Sequence, residues 1–190
     1  LTTSSAASDV YKRQGINLGN AIPYNEACTS NSKKLNLIAG EDKFLNNPYS
    51  SVAKAIKLID TFGENIILRH QSDWISGWFL KDWSYGEESN NLKLGWNTAN
   101  KSWPESFDSF SLKKSLPLII KSGSIFGKIN QSIANLLGTN EHLLLISGTT
   151  DSNAAFIAAQ VKENEGLTIL GTTIVLKKII KKTFNHPGIT

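Results

Sequence analysis

The chain contains no methionine, one cysteine and three histidines in 190 residues, and no apolar run long enough to span a bilayer. Each shortage excludes something. Cys28 alone cannot build an internal disulfide framework, so a reducing compartment is expected. His70, His142 and His186 are scattered without ligand spacing, so no metal site is expected from protein side chains. No Gly-rich loop ending in Lys-Ser or Lys-Thr is present, which removes the P-loop kinases. With 40% hydrophobic and 19% charged residues the composition is that of a globular chain, not a disordered one. The net charge of +4 raises the question of nucleic acid. However, Lys177, Lys178, Lys181 and Lys182 interleave with isoleucines as on a solvated strand edge, so no nucleic-acid partner and no membrane partner is expected. Residues 1–14 are polar and rich in Ser, Ala and Thr, without the apolar segment of a secretory signal. They read as a non-native leader, or otherwise a disordered tail, and are set aside from the fold. The lack of methionine adds the expectation that the native start lies upstream.

The stretch that organises the rest is Leu143-Leu144-Leu145-Ile146 followed by Ser147-Gly148-Thr149-Thr150-Asp151-Ser152 and the alanine-rich Asn153 to Ala159. This reads as a buried strand, a tight turn and a helix N-terminus, with Asp151 at the strand's end. A second Gly-Thr-Thr turn, Gly171-Thr172-Thr173, separates Thr168-Ile169-Leu170 from Ile174-Val175-Leu176. A carboxylate where a strand gives way to a helix is kept ionised by exposed N–H groups and can take a hydroxyl proton. A glycine with two threonines offers close backbone approach and donors to phosphate oxygens. Taken singly, the first turn is equally a capped helix with a satisfied Asp, and the second a plain hairpin. Together, on either side of a linker, they suit phosphoryl transfer, which needs an aligning carboxylate and a phosphate cradle.

Elsewhere, Ala21 to Glu26 is a short extended piece leading into a helical stretch through Ile38; Glu26 either faces a ligand or is a solvated carboxylate near a helix start. Ser50 caps an amphipathic helix over Val52 to Ile59. Ile66 to Leu68 is a brief strand, and a helix opens at Ser72 or Asp73, with Asp73 read as a cap rather than an acid. Ser84 to Trp96 reads as a polar loop and short helix containing Glu87, Glu88, Asn90 and Asn91. Trp103-Pro104 starts a helical turn, Leu116 to Ile120 is a second apolar run, and residues 122–127 form a loop. A helix from Ile129 to Leu137 is stopped by Gly138. Short apolar runs alternating with helices make an α/β fold. The charged Lys162-Glu163-Asn164-Glu165-Gly166 divides it into 15–161 and 162–190.

At this point the chain resembles the FGGY carbohydrate kinases. Gly148-Thr149-Thr150-Asp151-Ser152-Asn153-Ala154-Ala155 with Leu170-Gly171-Thr172-Thr173 is similar to that family's mid-chain signature. Gln71-Ser72-Asp73-Trp74-Ile75-Ser76-Gly77 resembles its Gln-x-Asp-Trp-(Ile/Leu)-x-Gly stretch, and Asn90-Asn91-Leu92-Lys93-Leu94-Gly95-Trp96 its Asn-Ala-Leu-Lys-Leu-Gly-Tyr stretch. The wording is most similar to the cyanobacterial and plant branch of D-ribulose kinases, once labelled xylulose kinases.

The resemblance implies an actin–hexokinase-like fold of two ribonuclease-H-like lobes, here incomplete: the later part of lobe one with the first hairpin of lobe two. It also implies ATP and Mg²⁺ as cofactors, a sugar as substrate, and a cytoplasmic or plastid setting. Asp151 falls on the catalytic base, and Gly148, Thr149, Thr150 and Ser152 on the turn around it. Gly171, Thr172 and Thr173 fall on the loop that meets the ATP phosphates. Tyr24, Asn25 and Glu26 fall beside the sugar, where Glu26 departs from the usual Asp and Asn91 from a usual Ala. The family's Asp-x-Gly-Thr turn is expected before Gly15 and its adenosine segment after Thr190, so the chain is expected to be an internal fragment, inactive alone. The alternatives are a xylulose- or glycerol-type kinase of the same family, and a non-catalytic binding module on the same fold.

Overall fold

A computed structural model of the chain describes residues 8–11, 15–171 and 174–181. It divides into two compact units, residues 1–149 and residues 150–190.

In the first unit the main core forms around helix α2 (Ser51–Phe62). Ser50 is its N-cap, with Oγ accepting from the Ala53 amide at 3.1 Å, and Gly63 ends it. Its apolar face is the one the sequence spacing predicts: Val52 and Ile56 are closed from solvent, packed with Leu35 and Ile38 of α1 (Ser32–Ala39). Phe107, from a 3₁₀ segment over Glu105–Phe110, fills the same core. Lys54 is also buried here, and its Nζ donates to the Tyr49 carbonyl at 2.5 Å and the Tyr24 carbonyl at 3.4 Å.

Strand β1 (Ser8–Tyr11) pairs antiparallel with β2 (Ile67–His70), Ser8 opposite His70 and Tyr11 opposite Ile67. Ser8–Tyr11, within the stretch set aside from the fold on its composition, are thus part of a sheet. Ladder pairing uses backbone groups that every residue carries, so polar composition does not announce it. From β2 the chain enters α3 (Gln71–Leu80), whose aromatic residues serve two satellite clusters. Trp74 and Trp78 pack on Ile67 and Trp83, while Trp78 and Phe79 pack on Ile129, Ile133 and Ala134.

The stretch read as a polar loop and short helix holds the short helix, the single-turn α4 (Glu88–Asn91), but the residues before it form strand β3 (Tyr85–Glu87) instead of a loop. β3 runs parallel to β4 (Leu118–Ile120). The segment read as a loop before the next helix contains β5 (Ile125–Lys128), antiparallel to β6 (Leu144–Ile146) with an irregularity between Ile125 and Gly127. Between them lies α5 (Gln131–Leu137), capped by Asn130 and stopped by Gly138 at φ 62°. β6 is not the buried strand its composition suggests: Leu144 and Ile146 are about half exposed, and only Leu145 is partly covered. A two-stranded ribbon covers one row of side chains at most, whatever their polarity.

The second unit holds α6 (Asp151–Ala158) and an antiparallel hairpin of β7 (Gly166–Leu170) and β8 (Ile174–Lys178). Leu167, Ile169, Val175 and Lys177 form the half-buried row of the hairpin, while Leu170, Ile174 and Leu176 are exposed. Lys162 to Gly166, expected to divide the chain, is the turn leading from α6 to β7, closed by the Glu165 amide on the Lys162 carbonyl. The two units part earlier, between Thr149 and Thr150. Among the described residues no helix is long and apolar enough to cross a membrane.

Candidate functional site

Asp151 is the first residue of α6, as the strand–turn–helix pattern predicts. Thr150 is the N-cap in extended conformation, without a side-chain cap bond, so the helix start is left to the residues that follow. The Asp151 side chain is exposed and its Oδ1 accepts the Ser152 amide at 2.7 Å. A carboxylate there gains from the unpaired N–H groups and the helix dipole, and keeps its second oxygen available. In the same unit Lys177 donates to Asn153 Oδ1 at 2.6 Å. Burial lowers the Lys177 pKa, and the nearby negative charge of Asp151 works against that shift. Gly171 is exposed at the hairpin turn; Thr172 and Thr173 lie outside the described residues.

In the first unit Gly148 is exposed, with nothing within 4 Å of where a Cβ would stand. Tyr24, Asn25 and Glu26 form an exposed turn closed by the Glu26 amide on the Pro23 carbonyl at 3.1 Å. Glu26 does not stand at a helix start; it is exposed and makes an ion pair with Lys57 of α2 at 2.8 Å. Among the described residues no hydrogen bond or ion pair joins this turn to Gly148 or Thr149.

The polar cluster the sequence reading missed sits between α3, β3 and α4. Asp73 is not a helix cap. It is 1% exposed, and accepts the Glu87 amide and the Asn91 Nδ2, both at 2.9 Å. Burial raises its pKa to about 6, against the lowering effect of those two bonds and of the Arg69 charge. Glu87 is 2% exposed and caps α4, with Oε1 accepting the Ser89 amide at 2.7 Å and Oε2 the Asn90 amide at 2.9 Å. Asn90 Nδ2 adds a third bond at 3.0 Å, and Ser122 Oγ donates to Oε1. Asn91 also donates to the Glu87 carbonyl at 2.8 Å. Beside the cluster, Arg69 stays tied to three carbonyls, those of Trp83, Leu68 and Ser115, while burial lowers its pKa to about 10. His70 is buried with neither ring nitrogen partnered among the described residues, and burial lowers its pKa to about 4. One signal was available in the sequence: four carboxylates and two amides within Asp73 to Asn91, interleaved with tryptophans and other apolar residues.

A groove of about 710 Å³ lies elsewhere in the first unit, lined in part by Ile67, Arg69, Lys81 and Trp83, and contains none of the residues expected to act. For Mg²⁺, no group of three or more His, Cys, Asp or Glu able to hold a metal occurs among the described residues. For ATP, exposed Gly171 is the described candidate.

No family model matches the sequence. Solved structures do match the fold. A ligand-bound xylulose kinase from Lactobacillus acidophilus superposes with a TM-score of 0.80 at 14% identity, over 97% of this chain and 40% of its own. A gluconate kinase from the same organism gives 0.78 at 15% identity, over 94% of this chain and 39% of its own. Plasmodium falciparum glycerol kinase with ADP gives 0.72 at 19% identity, over 91% and 38%. The chain therefore has the α/β, actin-like fold of these proteins and spans about two fifths of their length.

Proposed function

We propose that the chain belongs to an ATP- and Mg²⁺-dependent sugar kinase that phosphorylates D-ribulose or a related ketose, with Asp151 as the base. The observation that carries this reading is a placement: an exposed carboxylate at the first position of a helix, in a chain nine-tenths of which follows the fold of sugar kinases. ATP, when bound with Mg²⁺, supplies the phosphoryl group. The chain's own part is to orient and deprotonate the acceptor. Asp151 Oδ1 is occupied by the Ser152 amide, which leaves Oδ2 to accept the sugar hydroxyl proton. Gly171, with Thr172 and Thr173, approaches the phosphates through backbone and hydroxyl donors. Tyr24, Asn25 and Glu26 approach the sugar, Glu26 with its carboxylate paired to Lys57 of α2. The assignment of residues 15–161 and 162–190 to successive lobes is part of the same proposal.

The test uses the full-length protein, assayed for ADP release with ATP, Mg²⁺ and D-ribulose, D-xylulose, glycerol or gluconate. Sugar-dependent turnover with D-ribulose is expected, reduced about 10²–10⁴-fold in Asp151→Asn. Turnover with only another acceptor would reject the ribulose assignment, and folded protein without turnover on any of them would reject the kinase.

A further inference from the structure

The turn that leads into Asp151 is held by a chain of hydroxyl groups ending on a buried carboxylate. Thr149 Oγ1 donates to Ser89 Oγ at 3.1 Å, Ser89 Oγ lies 3.1 Å from Ser122 Oγ, and Ser122 Oγ donates to Glu87 Oε1. The direction of donation follows from the end of the chain. An ionised carboxylate only accepts, so Ser122 gives its proton to Glu87 and must accept from Ser89. Ser89 has then spent its proton and must accept from Thr149. The remaining Glu87 acceptor sites are filled by the Ser89 amide, the Asn90 amide and Asn90 Nδ2, and the carboxylate is 2% exposed. Four segments meet there: the end of β3, the start of α4, the residue pair after β4 and the residues after β6.

Apolar packing explains the placement of the last two only in part, through the partly covered Ile119, Ile120 and Leu145. Leu118 and Ile146, at the strands that precede them, are 65% and 53% exposed. Ser122 is further fixed by its amide on Glu88 Oε1 at 3.2 Å, and the Ser147 and Gly123 amides close the ribbon on the Ser124 and Ser147 carbonyls. Directional bonds do here what side-chain burial does in the α2 core.

We propose that Glu87 is a positioning residue: through Ser122 and Ser89 it fixes Thr149, and so the end of the turn from which Asp151 follows two residues later. The proposal rests on the reading of Asp151 as the base. Ser89 itself stays held by its amide on Glu87 Oε1, so Ser122 acts on Thr149 by orienting the Ser89 hydroxyl, and losing Ser122 together with Ser89 does no more than losing Ser89.

The experiment compares Ser122→Ala, Ser89→Ala, their double variant and Ser122→Thr in the full-length protein. It reads kcat and KM separately, together with hydrogen exchange at the amides of residues 148–152. Each alanine variant should lower kcat about three- to tenfold, the value of one net hydrogen bond, with KM for ATP unchanged. The double variant should match Ser89→Ala, and Ser122→Thr, which keeps the hydroxyl, should stay near wild type. Exchange at residues 148–152 should quicken in the alanine variants while the α2 amides stay protected. Multiplying effects, unchanged kcat with unchanged exchange, or a Ser122→Thr variant as poor as Ser122→Ala would each overturn the positioning role. Should wild type turn over no sugar, the kinase reading fails by itself. Exchange then decides the anchoring: faster exchange at 148–152 in the alanine variants supports it, and unaltered exchange overturns it.

Discussion

Replacing Asp73 by Asn should make stability climb with pH between pH 4 and 6, relative to wild type. Burial raises the Asp73 pKa from 3.8 to about 6, so the folded chain holds a proton there that the unfolded chain has released. The stability this contributes is complete below pH 3.8 and is lost as pH rises through about 6. His70 runs the other way. Its pKa falls from 6.5 to about 4, so its contribution is complete above pH 6.5 and is lost as pH falls through about 4. Over the shared window the unfolded chain has a proton on His70 and the folded chain one on Asp73, and the two slopes oppose. Each slope is about 1.4 kcal/mol per pH unit. Asp73→Asn removes one of them, so its unfolding free energy minus that of wild type should climb by about 3 kcal/mol from pH 4 to pH 6. Urea unfolding in half-unit pH steps, with fluorescence of the five tryptophans as readout, measures the difference directly. His70→Gln should tilt its own difference curve downward over the same range. Asn91 Oδ1, which has no partner among the described residues, gives the amide introduced at position 73 an acceptor if it turns, so Asp73→Asn is the milder of the available replacements. A difference curve that stays flat from pH 4 to 6 would refute the placement of a protonated Asp73 in the folded cluster.

Two further variants test a helix cap and the packing of the polar cluster. Ser50→Ala removes the oxygen that accepts the Ala53 amide and should cost about 1 kcal/mol, read as a lower urea midpoint at unchanged m-value. Gly86→Ala places a Cβ 2.6 Å from the Pro117 ring and 2.8 Å from both Asn91 Nδ2 and Asp73 Oδ2. None of these neighbours is a flexible chain end, so the variant should lose about 1–3 kcal/mol in the same assay.

What was legible in the sequence was local. Ser50 sits three residues before the amide it caps, Gly138 directly follows the helix it stops, and Asp151 stands between an apolar run and an alanine-rich helix. The α/β class followed from the same short-range alternation. What was not legible depends on partners far along the chain. Ser8 pairs with His70, and Asp73 with Asn91, at separations over which periodicity says nothing. Asp73 near a helix start looks like a cap because caps are usually Asp, Asn, Ser or Thr. Its burial is decided by Glu87 and Asn91, whose own polarity made them look like loop. β6 misled in the opposite direction, since an apolar run says that burial is favourable but not that a covering layer exists.

The two kinds of packing divide the labour in the first unit. The α1–α2 core is held by contacts without direction, tolerant of small shifts, and its contribution is measured in stability. The Glu87 cluster is held by bonds with strict direction, and its carboxylate is tolerable in the interior only while its four donors stay in place. Losing one donor therefore costs stability as well as orientation. Ser50→Ala and Ser122→Ala should accordingly separate: the first lowers the urea midpoint and leaves kcat of the full-length protein alone, while the second lowers kcat beyond what its midpoint shift accounts for. If both variants lowered both quantities in proportion, the cluster would be ordinary core, and the geometry of the turn before Asp151 would be set by global stability instead of by Glu87.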